Sequence, residues 1–256
     1  MIPLWAEQAR GHFNHGADDI VAILPLGATE QHGPHLPFCV DTTLIEAVLT
    51  RTDTTAHALQ LPTLTITKSD EHMRHAGTLT LGAETLLAVL RDIAASVARA
   101  GVRRLVFFNG HGGNTALLEI AARAARIDHN LICAHASWFA FADLGEYDPT
   151  ALAHDLHAGD TETSAMLAAR IDLVDMTQAK TFGTAMRGWE QAGHQTGLTG
   201  QPARPGWIID DLNADGALGD AAAATQSKGA ALLDTAAAAF GHWLADFATF
   251  EMDAHT

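Results

Sequence analysis

Acidic and imidazole side chains are concentrated in one short stretch near the start of the chain. Residues 24–41 read LPLGATEQHGPHLPFCVD, in which Glu30, His32, His35 and Asp41 follow an apolar, strand-like run. Glu30 and His32 are two residues apart, a spacing that places both side chains on one side of an extended backbone. Carboxylates and imidazoles are ligands that Zn²⁺, Mn²⁺ and Fe²⁺ accept in proteins. The stretch is therefore a candidate divalent-metal site.

Two further polar clusters lie next to other predicted elements. His111 lies in NGHGGN directly after an apolar run, and DLHAGDTETS opens a helical pattern with His157, Asp160 and Glu162. Each cluster alone has an ordinary explanation: a turn, a phosphate-binding loop, or acids favoured by a helix dipole. Open parallel sheets bind ligands beyond the carboxyl ends of their strands. Together, the three clusters therefore predict one shared pocket.

The elements that must position these residues alternate between strands and helices. Apolar runs predict strands at 21–27, 59–67, 102–110 and 130–138. Helical spacing predicts helices at 42–52, 83–101, 114–128, 162–171 and 221–247, with Gly229 as a candidate break in the last. This order is typical of an α/β protein, a three-layer α/β/α sandwich with a mostly parallel central sheet. We expect 180–220 to be irregular and 1–256 to form a single domain.

Composition excludes several classes of function. Apolar residues make up 48% of the chain, which is typical of a globular protein, and no apolar run is long enough to span a bilayer. The net charge of -15 repels phosphate backbones, so we expect no nucleic-acid partner. The two cysteines, Cys39 and Cys133, are far apart, so a metal would depend on oxygen and imidazole ligands. The N-terminus lacks the pattern of a signal peptide, which favours the cytoplasm.

Four motifs in order make the chain resemble the creatininase (creatinine amidohydrolase) family. They are GATEQHGPHLP followed by VD, then SDEHMRHAGTLTL, NGHGGN and HAGDTETS, and they match densely from about Val21 to Met166. The resemblance implies an α/β/α sandwich, two divalent metal ions per chain (Zn, Mn or Fe) and hydrolysis of a C–N bond. It also implies a small-molecule amide substrate and a homo-oligomer, often a hexamer.

Carried over position by position, the resemblance gives roles to individual residues. The metal ligands that it implies are Glu30, His32, Asp41, His111 and Glu162. Asp41 is the expected bridge between the two ions. His157 is expected to handle protons at the reacting bond, a role that suits an imidazole, which titrates near physiological pH.

Residues of the second motif are predicted to line the pocket. Ser69 and His72 are expected to contact the substrate, and Glu71 is a further catalytic candidate. Trp138, at the end of the fourth predicted strand, is the counterpart of a tryptophan in the family and a third expected substrate contact. The walls are predicted to come from 67–77, 138–156 and 180–210. Candidate contacts there are Arg74, Arg187, Trp189 and Trp207.

Two departures separate the chain from creatininase itself. Creatininase carries a ligand glutamate two residues after the NGH histidine, where this chain has Gly113, and Glu162 is the predicted source of the fifth ligand. Creatininase also carries a tryptophan four residues before the HAG-type histidine, where this chain has Ala153. Creatinine is therefore not the expected substrate. Relatives of this kind include a formamide deformylase of flavin and deazaflavin biosynthesis and a peptidase that trims a redox-cofactor precursor.

The sequence predicts a metal-dependent amidohydrolase that attacks a cyclic amide or formamide with metal-activated water. A peptidase that trims a cofactor-precursor peptide is the alternative within the enzyme class. A different class is a nucleotide- or phosphate-binding module that uses the GHGGN loop without chemistry. A further alternative keeps the metals only as structural ties, with closed coordination.

Overall fold

A parallel sheet of four strands forms the centre of the computed structural model, which describes residues 1–252. Its strands are β1 (Val21–Leu26), β2 (Ala58–Gln60), β3 (Arg104–Asn109) and β4 (Ile132–Ser137). They are all parallel and lie in the order β2-β1-β3-β4. Leu26 pairs with Asn109, so the carboxyl ends of the two central strands, β1 and β3, lie side by side. The predicted domain extended to 256, and residues 253–256 lie outside the described part.

Helices cover both faces of this sheet. The helices are α1 (Val40–Arg51), α2 (Ala83–Arg99), α3 (Thr115–His129), α4 (Pro149–Leu152), α5 (Asp160–Arg170), α6 (Met186–Gln191), α7 (Ile209–Leu212) and α8 (Gln226–Phe247). Alternate residues of β1 enter two different cores, one shared with α1, α5 and α8 and the other with α2 and α3. The predicted α/β/α sandwich with a mostly parallel sheet is thus confirmed. No helix in the described part is long and apolar enough to cross a membrane.

The second strand is shorter than predicted because a proline interrupts it. β2 ends at Gln60, although the apolar pattern continues to residue 67. Pro62 has no N–H to donate to the ladder, and an edge strand is where such a residue is tolerated. Pairing with β1 resumes at Leu64, whose N–H donates to the Pro25 carbonyl at 3.0 Å. The chain therefore still follows β1 toward the end of the sheet where the predicted site lies.

The last helix is continuous where a break was a candidate. Gly229 lies within α8, and a Cβ at this position would collide with the Ser164 carbonyl of α5. The glycine therefore allows the two helices to approach closely, and it does not end one of them. This close contact fixes α5, whose first turn carries predicted site residues.

The predicted irregular stretch contains short regular elements. Besides α6 and α7, it includes β5 (Thr181–Phe182), which pairs antiparallel with β6 (Gly219–Asp220). A third apolar cluster joins the two short helices and includes Met186, Leu198 and Ile209. The stretch is thus tied down by its own small core.

Candidate metal centre

Acidic and imidazole side chains from four segments meet at the carboxyl end of the sheet. β1 leads into Glu30 and His32, and β3 leads into His111. Asp41 lies in the first turn of α1, which begins two residues before its predicted start, and Glu162 lies in the first turn of α5. Because β1 and β3 are neighbours, residues distant in sequence come together here. Open parallel sheets bind their ligands at this position.

Asp41 belongs to two groups of three side chains that could each hold a metal ion. Ligand-type atoms of Glu30, Asp41 and His111 lie within 4.8 Å of one another, and so do those of His32, Asp41 and Glu162. His111 Nδ1 lies 3.2 Å from Glu30 Oε1 and 3.7 Å from Asp41 Oδ2. His32 Nε2 lies 3.5 Å from Asp41 Oδ1 and 3.8 Å from Glu162 Oε2. The two carboxylate oxygens of Asp41 therefore face different groups.

Several buried polar atoms of the centre have no hydrogen-bond partner. Within the described part of the chain, these include both carboxylate oxygens of Glu30, His32 Nε2 and Asp41 Oδ2. An unsatisfied buried polar group costs about 1–3 kcal/mol, and native proteins pair nearly all of them. Here the four atoms belong to carboxylates and an imidazole, which are the donor set of a divalent transition-metal ion. The residues therefore fit a metal site.

Backbone carbonyls orient two imidazoles toward Asp41. His32 Nδ1 lies 3.1 Å from the carbonyl oxygen of Glu30, and His111 Nε2 lies 2.7 Å from that of Lys68. A carbonyl oxygen only accepts, so in each neutral ring that nitrogen carries the hydrogen. The lone pairs remain on His32 Nε2 and His111 Nδ1, the atoms that face Asp41. Metal-binding histidines are commonly held through their far N–H in this way.

The carboxylates favour protonation of these imidazoles in the metal-free protein. Burial alone disfavours the charged form of His32, but Asp41, Glu162 and Glu30 outweigh it and raise the pKa to about 9. Burial of His111 is likewise outweighed, chiefly by Glu30 and Asp41, which raise its pKa to about 10. Burial raises the pKa of Glu162 to about 7. A divalent ion would replace these protons.

We expect zinc binding to release about two to three protons per chain near neutral pH, one each from His32 and His111 and part of one from Glu162, and to tighten as the pH rises toward 9. His32 and His111 hold their protons below pKa values of about 9 and 10, so protons compete with the metal throughout this window. Calorimetry in buffers of different ionisation enthalpy measures the number of protons released. Zinc affinity that is independent of pH, with no proton released, would contradict this prediction.

Glu162 is held by the backbone of the loop before α5. Its Oε2 accepts a hydrogen bond of 2.6 Å from the N–H of Ala158. Ala158 has a φ of 56°, in the left-handed region that non-glycine residues rarely adopt. Such a conformation persists only where the surrounding structure enforces it, and it is common at functional sites. The loop therefore holds Glu162 facing His32.

Replacing Glu162 by glutamine is expected to remove one metal ion per chain, because a neutral amide is a poor ligand for a divalent ion. Metal content after dialysis against zinc, measured by mass spectrometry, checks this. Glu146→Gln, which changes an exposed acid, is the matched control. If Glu162→Gln keeps two ions and full activity, the assignment of Glu162 as a ligand fails.

Glu71 occupies the space in front of Gly113, the position at which the resemblance implies a glutamate. A Cβ on residue 113 would collide with the Glu71 carboxylate and the His111 ring. Glu71 Oε1 lies 3.6 Å from His111 Nε2. Glu162 instead groups with His32 and Asp41. The acid that faces Gly113 is therefore Glu71. Glu162 lies on the opposite side of Asp41, with His32.

A cavity of about 530 Å³ opens onto this centre. Glu30, Asp41, His111, His157 and Glu162 contribute to its wall. The apolar part of the wall is formed by Leu156, Leu198, Pro205, Trp207 and Leu218. Lys68, Asp70 and Arg204 add charged groups. Both the size and the mixture of apolar surface with a few polar groups are typical of a small-molecule site.

The remaining predicted site residues separate into two groups. Glu71 and His72 line the cavity. Ser69 is fully buried behind it and Trp138 is 1% exposed, and neither lines the cavity. The Trp138 ring turns into the core and packs on Phe139, with ring centroids 4.2 Å apart. The geometry therefore gives no support to the predicted substrate contacts of Ser69 and Trp138, which stay predictions.

Most of the four candidate substrate contacts named from the sequence do not line the cavity. Trp207 lines the cavity, whereas Trp189 packs in the small third core. Arg74 pairs with Asp210 at 3.7 Å and, like Arg187, does not line the cavity. Leu156, Leu198 and Arg204 lie within the predicted wall ranges 138–156 and 180–210, but the sequence did not single them out. Sequence reasoning also missed Gln31, although this residue lies inside the EQH motif.

The fold and the site together define an α/β protein with a candidate metal centre at the carboxyl end of its parallel sheet. A model of the creatininase family, described as creatinine amidohydrolase, matches residues 8–244. The chain belongs to the creatininase family, whose members are hydrolases that act on carbon–nitrogen bonds. The family resemblance drawn from four motifs is thereby confirmed.

Two groups of named relatives are similar to this chain. The mycofactocin precursor peptide peptidase of Mycobacterium tuberculosis (strain CDC 1551 / Oshkosh) is 38% identical over 155 residues, 57% of this chain and 57% of that protein. The chain thus matches less than two thirds of that relative. The creatinine amidohydrolase of Pseudomonas putida is 36% identical over 177 residues, 62% of this chain and 68% of that protein.

Solved creatininase structures share the whole fold. A crystal structure of creatinine amidohydrolase (creatininase) is 26% identical, with a TM-score of 0.73 over 97% of this chain and 98% of that chain. Creatininase in a manganese form and a creatininase variant of Zn–Zn type each give a TM-score of 0.72, at 26% identity over 96% of this chain and 98% of that chain.

Proposed function

We propose that the protein is a metal-dependent amidohydrolase that cleaves an amide C–N bond of a small molecule at a centre for two divalent ions. The observation that carries this proposal is the position of Asp41, whose two carboxylate oxygens face separate groups of ligand atoms. Zinc, manganese or iron ions bound there would supply Lewis acidity and a water of lowered pKa. Glu30 and His111 would hold one ion, and His32 and Glu162 the other, with Asp41 shared.

His157 is the proposed proton carrier. Its Nε2 donates to the Gln31 carbonyl at 2.8 Å, which leaves the lone pair on Nδ1, 3.7 Å from Glu30 Oε1. Burial, together with the imidazoles of His32 and His72, holds the pKa of His157 well below its usual range. The lowered pKa keeps the ring neutral, and its bare Nδ1 is the atom proposed to accept a proton and pass it to the leaving nitrogen.

Access to the centre favours catalysis over a purely structural role for the ions. Structural metal sites are closed, whereas four of the five candidate ligands here, Glu30, Asp41, His111 and Glu162, line an open cavity. The phosphate-binding alternative is disfavoured by charge. The Glu71 carboxylate faces Gly113 of the GHGGN loop, and Asp70 lines the same cavity, so both acids would repel a phosphate.

We expect a cyclic amide or a formamide as the substrate, with a peptide as the second candidate. The peptidase relative supports the peptide, and so does Arg204 in the cavity wall. Arg204 lies in the cavity wall, where its guanidinium can bind a substrate carboxylate. The absence of a tryptophan at Ala153 argues against creatinine itself.

A panel of cyclic amides, formamides and short peptides, assayed with added Zn²⁺ or Mn²⁺, tests the proposal. We expect hydrolysis of at least one amide class, its loss on treatment with a chelator, and its return with metal. A cleaved peptide with untouched formamides and cyclic amides would select the second candidate. Hydrolysis that persists in chelator-treated protein containing less than one transition-metal ion per chain would refute the metal-dependent mechanism.

A further inference from the structure

The side-chain amide of Gln31 has an orientation that two backbone groups fix. Gln31 is 6% exposed, its Oε1 accepts from the Gly33 N–H at 2.9 Å, and its Nε2 donates to the Gly216 carbonyl at 2.8 Å. The reverse orientation would place oxygen against oxygen and N–H against N–H. Only the observed orientation satisfies both groups.

The second hydrogen on Gln31 Nε2 determines where His72 carries its proton. Nε2 lies 2.8 Å from His72 Nδ1, and this ring nitrogen must accept, because an amide nitrogen only donates. Neutral His72 therefore carries its hydrogen on Nε2, which lies 3.5 Å from Glu30 Oε1. His72 lines the cavity but belongs to none of the potential metal-ligand groups in the described part of the chain. It presents an N–H donor to the centre.

The main chain of the same residue orients His157 in the opposite sense. His157 Nε2 donates to the Gln31 carbonyl, so its bare Nδ1 faces the centre. The contact of 3.4 Å between Gln31 Nε2 and His157 Nε2 joins two donors and is not a hydrogen bond. The rings of His72 and His157 stack with centroids 4.3 Å apart. Both imidazoles are thus Nε2–H tautomers, but His72 turns its Nε2–H toward the centre and His157 turns its bare Nδ1.

We infer that Gln31 is a positioning residue that holds His72 as a hydrogen-bond donor and His157 as a proton acceptor at the same centre. Its role in hydrolysis rests on the proposed function. Attack on an amide needs an acceptor for a proton and a donor for the negative charge that develops on the carbonyl oxygen. His157 Nδ1 supplies the first. His72 Nε2–H supplies the second, and at rest it faces the Glu30 carboxylate.

Nitrogen NMR of histidine tautomers tests this inference without relying on activity. In zinc-loaded protein labelled with ¹⁵N-histidine, we expect both His72 and His157 to be neutral Nε2–H tautomers, with signals assigned by single His→Gln variants. Gln31→Glu places an acceptor opposite His72 Nδ1, so His72 should gain a proton on Nδ1, and in the neutral ring this leaves Nε2 without its hydrogen. His157 should stay unchanged, because a backbone carbonyl holds it. Gln8→Glu, at a glutamine bonded to the Leu4 carbonyl, is the control.

Activity supplies the second readout. Loss of one preorganised donor typically lowers kcat by roughly 10²–10³-fold, so Gln31→Glu should lower kcat by that order, with KM nearly unchanged.

An Nδ1–H tautomer of His72 in the wild-type protein, or a His72 tautomer that Gln31→Glu leaves unaltered, would overturn the inference. A tautomer change without loss of kcat would overturn the donor role of His72. The expected tautomers in a protein that hydrolyses no amide would uphold the positioning and refute the proposed function instead.

Discussion

Asp41→Asn is expected to abolish stable binding of both metal ions and to reduce amide hydrolysis to background. Asp41 is 2% exposed, and its two oxygens face His32 on one side and His111 on the other. A neutral amide keeps the shape but offers only one oxygen, which is a weak ligand. Each ion would therefore lose its shared carboxylate. Metal content by mass spectrometry and zinc affinity by calorimetry measure the loss.

The matched control for this change is Asp18→Asn, which alters an exposed aspartate that does not line the cavity. The control should bind metal and hydrolyse substrate as the wild-type protein does. Circular dichroism of both variants establishes that the fold is kept. Two tightly bound zinc ions in Asp41→Asn would show that Asp41 is not shared between them.

His157→Gln is expected to retain both metal ions and to lower kcat by about 10²–10⁴-fold, the usual contribution of a positioned acid or base. The ring of His157 lies between those of His32 and His72, with centroids 4.2 Å and 4.3 Å away. Glutamine fills much of this space but cannot carry a proton between water and a leaving nitrogen. Steady-state kinetics together with metal analysis separate the two effects.

The structure also allows a competing role for His157, and the same variant distinguishes it. Ligand-type atoms of Glu30, His32 and His157 lie within 4.8 Å of one another, so the imidazole could itself bind a metal. Loss of one ion in His157→Gln would support that role and contradict the proton-carrier assignment. His129→Gln, at an exposed histidine at the end of α3, should change neither metal content nor kcat.

Most of the fold follows from patterns that the sequence shows directly. Continuous apolar runs indicate buried parallel strands, and β1 and β3 are buried at every position. The misjudged features depend on contacts between elements. Pro62 shortens β2 because it has no N–H to donate to the hydrogen-bond ladder with β1. Gly229 lies in a helix because Ser164 of another helix approaches it closely.

The grouping of the candidate ligands could be predicted, because carboxylates and imidazoles follow strand ends and neighbouring strands bring their ends together. The individual wall residues could not, because Leu198 and Arg204 lie in a segment with no strand or helix periodicity. The burial of Trp138 could not be predicted, because the sequence does not show which way a ring turns after a strand ends. Gln31 was missed because its role depends on Gly216, a partner far along the chain. The homo-oligomer, the single domain and the cytoplasmic location stay predictions.

Anomalous diffraction from a crystal grown with zinc tests the central claim most directly, because it locates each ion regardless of substrate. We predict two peaks per chain on opposite sides of the Asp41 carboxylate, one beside Glu30 and His111 and the other beside His32 and Glu162. A single peak, or peaks away from Asp41, would contradict the account.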